Sequence, residues 1–294
     1  MKVYVLASIF FAQTVSASSY AIKFGEVQVE ETSTTPVRTF KMLGANFKSH
    51  YLNQPVWSLD GKRLLYTEQM GVDSLATDIR VMTPGQPKEN PPQSLRNTPF
   101  GEFSASPYAD GYSVVRVEAD GTQRLWFMNE QQERVLFPEL TGVGYYAFGK
   151  QDDLLLFLLE NATQPNRAVY RDNAGKITEL LPNPGRSFVY DNAENWFYFT
   201  APAKGAAAES PLHLWRYRAG QAQAEMLALL PQSGKDLALT PKGQLIISAQ
   251  QQLLAWQGGK WQPWLDLTKH CEGVVSRFKF NPTNMQLAFV CEKE

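Results

Sequence analysis

Three histidines, two cysteines and a scatter of carboxylates are what this 294-residue chain offers to chemistry. A catalytic metal usually takes three protein ligands, and the imidazoles available are His50, His213 and His270. His213 lies in an alternating pattern (PLHLWRY) that suits a packed or edge strand residue. His50 and His270 remain, with Lys48, Tyr51, Asp266, Lys269, Glu272 and Arg277 near them in sequence. Nothing identifies a third ligand, so no metal and no cofactor is expected. General acid and base work needs carboxylates held at a fixed separation. Asp152, Asp153, Asp191 and Glu194 instead fall among turn-forming residues and read as turn chemistry.

The sequence contains no G-x-S-x-G elbow, H-E-x-x-H helix, G-x-x-x-x-G-K-[ST] loop or EF-hand loop. Gly142, Gly144 and Ala147 loosely echo a dinucleotide fingerprint, but a strand pattern follows where that motif needs a helix. No catalytic residue is assigned. The net charge is −1 with both signs interspersed, which gives no electrostatic footprint for nucleic acid. Asn161, Ala162 and Thr163 fit a glycosylation acceptor, which would matter only in a eukaryotic host.

Residues 1–17 read as an export signal: Met1 and Lys2, an apolar core from Val3 to Ala12, then Val15 and Ala17 at cleavage-site spacing. About ten apolar residues are too few to span a bilayer, and no later segment is long enough. Export places the chain where disulfides persist, so Cys271 and Cys291 are expected to be bonded. A redox or metal pair would want C-x-x-C spacing or companion ligands, and neither is present.

The elements that must position these residues come from an internal repeat. The stretch Pro55 to Thr67 (PVWSLDGKRLLYT) is a short apolar strand, a tight turn and a second apolar strand. Weaker copies run Phe103 to Val117, Tyr145 to Leu159, Phe188 to Thr200, Leu237 to Ser248 and Phe278 to Cys291. A spacing of about 40–50 residues is the period of four-stranded propeller blades. Third strands follow at Ile79 to Met82, Leu125 to Met128, Ala168 to Tyr170, Leu212 to Tyr217 and Leu253 to Trp256, and a more polar edge strand comes after each.

The sixth unit stops after its second strand. Tyr20 to Val29 and Val37 to Leu43 read as the missing third and fourth strands, which would close the ring and remove its exposed edges. The expected fold is all-β: a six-bladed β-propeller over residues 18–294, one domain, its last blade built from both termini. The low-complexity run Ala201 to Ser210 reads as a loop within unit four.

PVWSLDGKRLLYT, and less closely SASPYADGYSVV and FNPTNMQLAF, resemble the W-S-P-D-G-K repeat of bacterial TolB-like six-bladed propellers, with Leu59 in place of the proline. The resemblance covers the propeller domain only. It implies an exported envelope protein that presents loops and a channel mouth to protein or peptide partners. Trp57, Asp60 and Gly61 match structural positions of that repeat and are not carried over as a site.

Two functions stay open: a non-catalytic periplasmic binding propeller, monomeric and with a protein or peptide partner, and a lyase or lactonase-type enzyme using the channel mouth. His50 and His270 precede the first strands of units one and six, which are neighbours in a closed ring. His50, Tyr51, His270, Glu272 and Arg277 are therefore the expected channel-mouth patch. The long connections Glu68 to Thr77, Glu160 to Asn166 and Ala201 to Pro211 are the expected partner contacts, because loops on a rigid scaffold carry most binding.

Overall fold

The computed structural model describes residues 19–30, 36–48, 51–71, 76–86 and 91–293. Residues 1–17, read above as an export signal, His50 and residues 72–75 of the first long connection lie outside the described residues.

In chain order the strands begin with β1 (Ser19–Glu30) and β2 (Val37–Lys48). Blade one follows as β3 (Leu52–Trp57), β4 (Leu64–Gln69), β5 (Thr77–Met82) and β6 (Gln93–Ser94). Blade two is β7 (Gly101–Tyr108), β8 (Gly111–Val117), β9 (Gln123–Met128) and β10 (Glu133–Val135). Blade three is β11 (Val143–Phe148), β12 (Leu154–Leu158), β13 (Arg167–Arg171) and β14 (Ile177–Pro182). Blade four is β15 (Phe188–Asp191), β16 (Trp196–Pro202), β17 (Leu212–Tyr217) and β18 (Glu225–Leu229). Blade five is β19 (Gly234–Leu239), β20 (Leu245–Ala249), β21 (Gln252–Gln257) and β22 (Lys260–Asp266). The chain ends with β23 (Val274–Phe280) and β24 (Gln286–Lys293).

Six four-stranded antiparallel sheets result, and five of them keep sequence order from the inner to the outer strand. Blade six has the order β2-β1-β24-β23, so both termini build it, as the sequence predicts. β1 pairs with β24 from Ser19 opposite Lys293 to Glu26 opposite Gln286. The fold is therefore a six-bladed β-propeller closed by strands from the two ends of the chain.

Sequence explains the radial order within a blade. A second strand is sandwiched between neighbouring blades and reads as an apolar run, such as Leu154 to Leu158 or, with Ser248 its one polar residue, Leu245 to Ala249, both buried throughout. The outermost strand packs on one side only, and β14 accordingly alternates between exposed and part-buried positions from Ile177 to Leu180 before Leu181 enters the core. The core lies between blades: Leu155, Tyr170, Phe197 and Trp215 join blades three and four, and Ile22, Phe24, Leu52, Trp57 and Leu64 join blades six and one.

The best-formed repeat turn shows why its residue types are needed. Ser58 Oγ donates to Asp60 Oδ1 at 2.6 Å, and the same oxygen accepts the Lys62 N–H at 3.1 Å. Gly61 takes φ of +69°, and a Cβ there would stand 2.3 Å from Asn281 Oδ1. The turn docks on the matching turn of blade six, where Asn281 Nδ2 donates to the Gly61 carbonyl at 2.8 Å. Trp57 Nε1 adds a bond to the Lys279 carbonyl at 3.2 Å. Leu59, at the repeat's proline position, is exposed.

Cys271 and Cys291 are bonded, with Cα atoms 5.6 Å apart, tying the segment ahead of β23 to the end of β24.

Candidate functional site

The first strands β3, β7, β11, β15, β19 and β23 line the axis, with β23 touching both β19 and β3. Five of them carry a register irregularity at corresponding places: between Asn53 and Val56, Phe103 and Ser106, Val143 and Tyr145, Gly234 and Leu237, and Ser276 and Lys279. A bulge leaves an extra residue out of the ladder and re-aims its side chain. Gln54, Ser104 and Arg277, in three of these bulges, have φ of +54°, +53° and +47°.

A bulge also leaves backbone donors without a strand partner, and the neighbouring blade supplies acceptors. Gln54 Oε1 accepts the Ser104 N–H at 2.8 Å, Ser187 Oγ accepts the Leu237 N–H at 2.7 Å, and Asp236 Oδ2 accepts the Arg277 N–H at 3.0 Å. Tyr146 Oη lies 2.8 Å from the Ser104 carbonyl and binds blade three to blade two. Polar side chains of the channel wall thus stitch one blade to the next.

One sector carries charge. Asp236, 3% exposed, accepts from Arg186 Nε at 3.0 Å and Arg186 Nη2 at 2.7 Å. Arg277 Nη2 donates to Tyr145 Oη at 2.9 Å, its guanidinium lies 4.8 Å from the Tyr145 ring centroid, and its Nε is 3.9 Å from Asp236 Oδ1. Burial pushes the Asp236 carboxyl up, but the charges and hydrogen bonds of Arg186 and Arg277 outweigh it and hold the group well below the usual carboxylate range. Lys279, two residues along β23 from Arg277, is pushed below the usual lysine range by burial, with Arg277 adding to the effect and Asp236 opposing it.

Of the residues expected at the channel mouth, the structure brings Tyr51 and Arg277 into this sector. Burial raises the Tyr51 phenol against the pull of the Arg277 and Arg186 charges. His270 lies elsewhere: its ring meets Phe40 of β2 edge-on at 5.1 Å, and its carbonyl accepts from Lys23 Nζ. Glu272 is exposed and pairs with Lys293 at 2.7 Å. The connection from β22 to β23 must travel from the outer edge of one blade to the inner edge of the next. Its early residues therefore sit against the outermost strand of blade six, far out along the radius. His50 is outside the described residues. His213 sits in β17 opposite Ala201 and Leu229. Asp191 caps its own turn by accepting the N–H groups of Ala193 and Glu194, and Asp153 accepts from Tyr170 Oη at 2.5 Å.

Arg186, Asp236, Tyr145 and Lys279 escape a motif search, since no short pattern contains them. A signal is nonetheless present. Gln54, Ser104, Tyr145, Ser187, Asp236 and Arg277 each stand four residues before the start of the first hairpin turn of their unit. Aligning the repeats on the turn makes one column of channel residues, in which Asp236 and Arg277 are the charged members.

No protein-family model matches this sequence, and no curated protein does. Solved structures do match. A protein assigned to TolB in Agrobacterium tumefaciens superposes with a TM-score of 0.67 at 13% identity, over 94% of this chain and 99% of the other. A gluconolactonase from Xanthomonas campestris gives 0.59 at 10% identity, over 83% and 86%. TolB from Acinetobacter baumannii gives 0.53 at 9% identity, over 94% of this chain and 64% of that one. The chain thus has the six-bladed fold of TolB-like propellers. The same architecture also serves the gluconolactonase, so function has to be argued from the site.

Proposed function

We propose that this chain is an exported, non-catalytic propeller of the bacterial envelope that works as a monomer and binds a protein or peptide through its loop-bearing face. The observation that carries the reading is the state of Asp236. It is the carboxylate of the channel wall among the described residues, and Arg186 and Arg277 hold it ionised and occupied. A carboxylate so placed is a poor base and a poor metal ligand, which counts against the lyase or lactonase alternative.

The partner face is the one where second-to-third-strand connections meet the links between blades. The Leu159 N–H donates to the Gly142 carbonyl, and the Asn183 N–H to the Asn166 carbonyl. The loop between β12 and β13 is largely exposed yet internally tied. Asn161 Oδ1 accepts from the N–H groups of Thr163 and Gln164, and Asn166 Oδ1 accepts the Glu160 N–H. Such preorganisation lowers the entropy cost of binding. The loop between β16 and β17 is turned on itself by Ala206 N–H to the Ala203 carbonyl and Ser210 N–H to the Ala207 carbonyl. Export is supported by the Cys271–Cys291 bond, since disulfides persist in oxidising compartments.

The test is capture from envelope extract with the purified chain, beside a variant in which residues 160–166 are replaced by a two-residue Asn-Gly turn. A captured protein that is lost with the shortened loop, while the melting temperature holds, supports the reading. Turnover of a sugar lactone by the wild type, abolished in a folded Asp236→Asn variant, overturns it in favour of an enzyme.

A further inference from the structure

The axis of the propeller holds a cavity of about 180 Å³ whose wall includes Gln54, Tyr145, Arg186, Asp236, Arg277 and Lys279. Three of these side chains are cations and one is an anion. Asp236 is consumed by its bidentate bond to Arg186 and by the Arg277 N–H. The described wall therefore carries two more positive charges than negative ones, with Arg277 only a distant partner of Asp236 at 3.9 Å.

Donors are in surplus as well as charge. Gln54 is 8% exposed and its Oε1 is fully used, accepting from Thr67 Oγ1 and the Ser104 N–H. Its Nε2 is buried with no hydrogen-bond partner among the described residues, and so is Arg277 Nε. The Lys279 ammonium meets no acceptor among the described residues. A buried donor left unsatisfied is costly, the more so when it is charged. One acceptor group with negative charge would answer all three donors and both charges together. Low local dielectric strengthens such an interaction over its value in water.

We propose that this cavity binds a carboxylate group, gripped by Arg277, Lys279 and Gln54 Nε2 and kept off Asp236 by charge repulsion. Carboxylate geometry suits a guanidinium edge, and the cavity has room for a few carbons behind the charged group. Two sources share this chemistry: a small organic acid, or the terminal or side-chain carboxylate of a peptide. The site lies apart from the proposed partner loops, since the channel wall and residues 160–166 and 203–211 have no residue in common, although both readings use the ion pair at Asp236.

The test is calorimetric titration of the full chain with succinate, dimethyl succinate, acetyl-Ala-Ala with a free carboxylate, and its amide. The expected result is binding of at least one carboxylate, none of the diester or amide, and an affinity that falls as sodium chloride rises. Succinate alone binding assigns a small acid, and the free-acid peptide binding more tightly than succinate assigns a peptide carboxylate. Lys279→Met should weaken binding at least tenfold. Asp236→Asn should tighten it, an effect that a purely structural role would not produce. If Asp236→Asn fails to fold, Lys279→Met still decides. No heat and no shift in melting temperature with any carboxylate at millimolar concentration overturns the proposal, as does binding that Lys279→Met leaves unchanged.

Discussion

Asp236 and Arg186, 50 residues apart and on adjacent blades, meet in a two-point contact of 3.0 and 2.7 Å. The carboxylate is buried, whereas a third of the Arg186 side chain is exposed. Solvent therefore screens the pair only through Arg186. Because the same carboxylate accepts the Arg277 N–H, one residue fixes blades four, five and six relative to one another.

Asp236→Ala leaves two guanidiniums facing each other and a backbone donor unmet. The expected loss is about 3 kcal/mol, the lower part of the range for breaking a buried pair because water reaches Arg186. Urea denaturation measures it. The Asp236 carboxyl is held below its unfolded value of 3.8, so its contribution is complete above that pH and is lost as pH falls through the lower folded value. Wild type and Asp236→Asn should therefore converge in stability on acidification. A difference that stays constant from pH 6 to pH 2 contradicts this assignment.

Glu102 has the opposite sign. It is fully buried at the start of β7, where burial pushes its carboxyl up to about 7 despite bonds from Thr98 Oγ1 at 2.7 Å and Arg116 Nη2 at 2.9 Å. The Arg116 pairing does not prevent this, because Glu133 shares the guanidinium through two contacts of 3.1 and 2.8 Å, and Glu102 Oε2 has no partner among the described residues. A raised folded value favours the protonated fold, so stability should fall as pH rises from about 4.5 to about 7. At about 1.4 kcal/mol per unit the loss is about 3 kcal/mol. Glu102→Gln should flatten that limb. Identical pH profiles for variant and wild type would refute it.

The disulfide closes a loop with a sequence separation of 20 residues and lies within the core between blades five and six. A closed loop of that length stabilises by about 3 kcal/mol through the entropy of the unfolded chain. Replacing both cysteines by Ala should cost that much in guanidinium titration. Thiol titration of denatured, unreduced wild type should find no free thiol.

What the sequence makes legible follows from what repeats. The hairpin pattern from Pro55 to Thr67 recurs because each blade needs the same turn and the same buried second strand, so blade count, ring closure and the cysteine pair can all be read in advance. The channel charges are harder to read. Arg186, Asp236 and Arg277 lie in three different units and become neighbours only because the ring brings inner strands together. The bulges that turn Gln54, Ser104 and Arg277 inward have no composition of their own, since a polar residue, a serine and an arginine fill them. His270 shows the converse: closeness in sequence to Arg277 does not bring it to the channel, because the connection between blades spans a radius.

Ring closure makes its own demand on β1. Ile22 is fully buried at the middle of that strand, opposite Val290 of β24, and packs in one cluster with Leu52, Trp57 and Leu64 of blade one. A peripheral hairpin that merely covered blade six would tolerate a cavity there by local fraying. A strand that completes the ring transmits the loss to the whole domain, because the cluster it anchors is also the contact between the last blade and the first. Ile22→Ala should therefore cost about 2–5 kcal/mol. The loss should appear as a single cooperative transition at lower denaturant concentration, followed by tryptophan fluorescence and by far-ultraviolet circular dichroism alike. Two separated transitions, or a midpoint equal to that of the wild type, would show that β1 is dispensable to the ring.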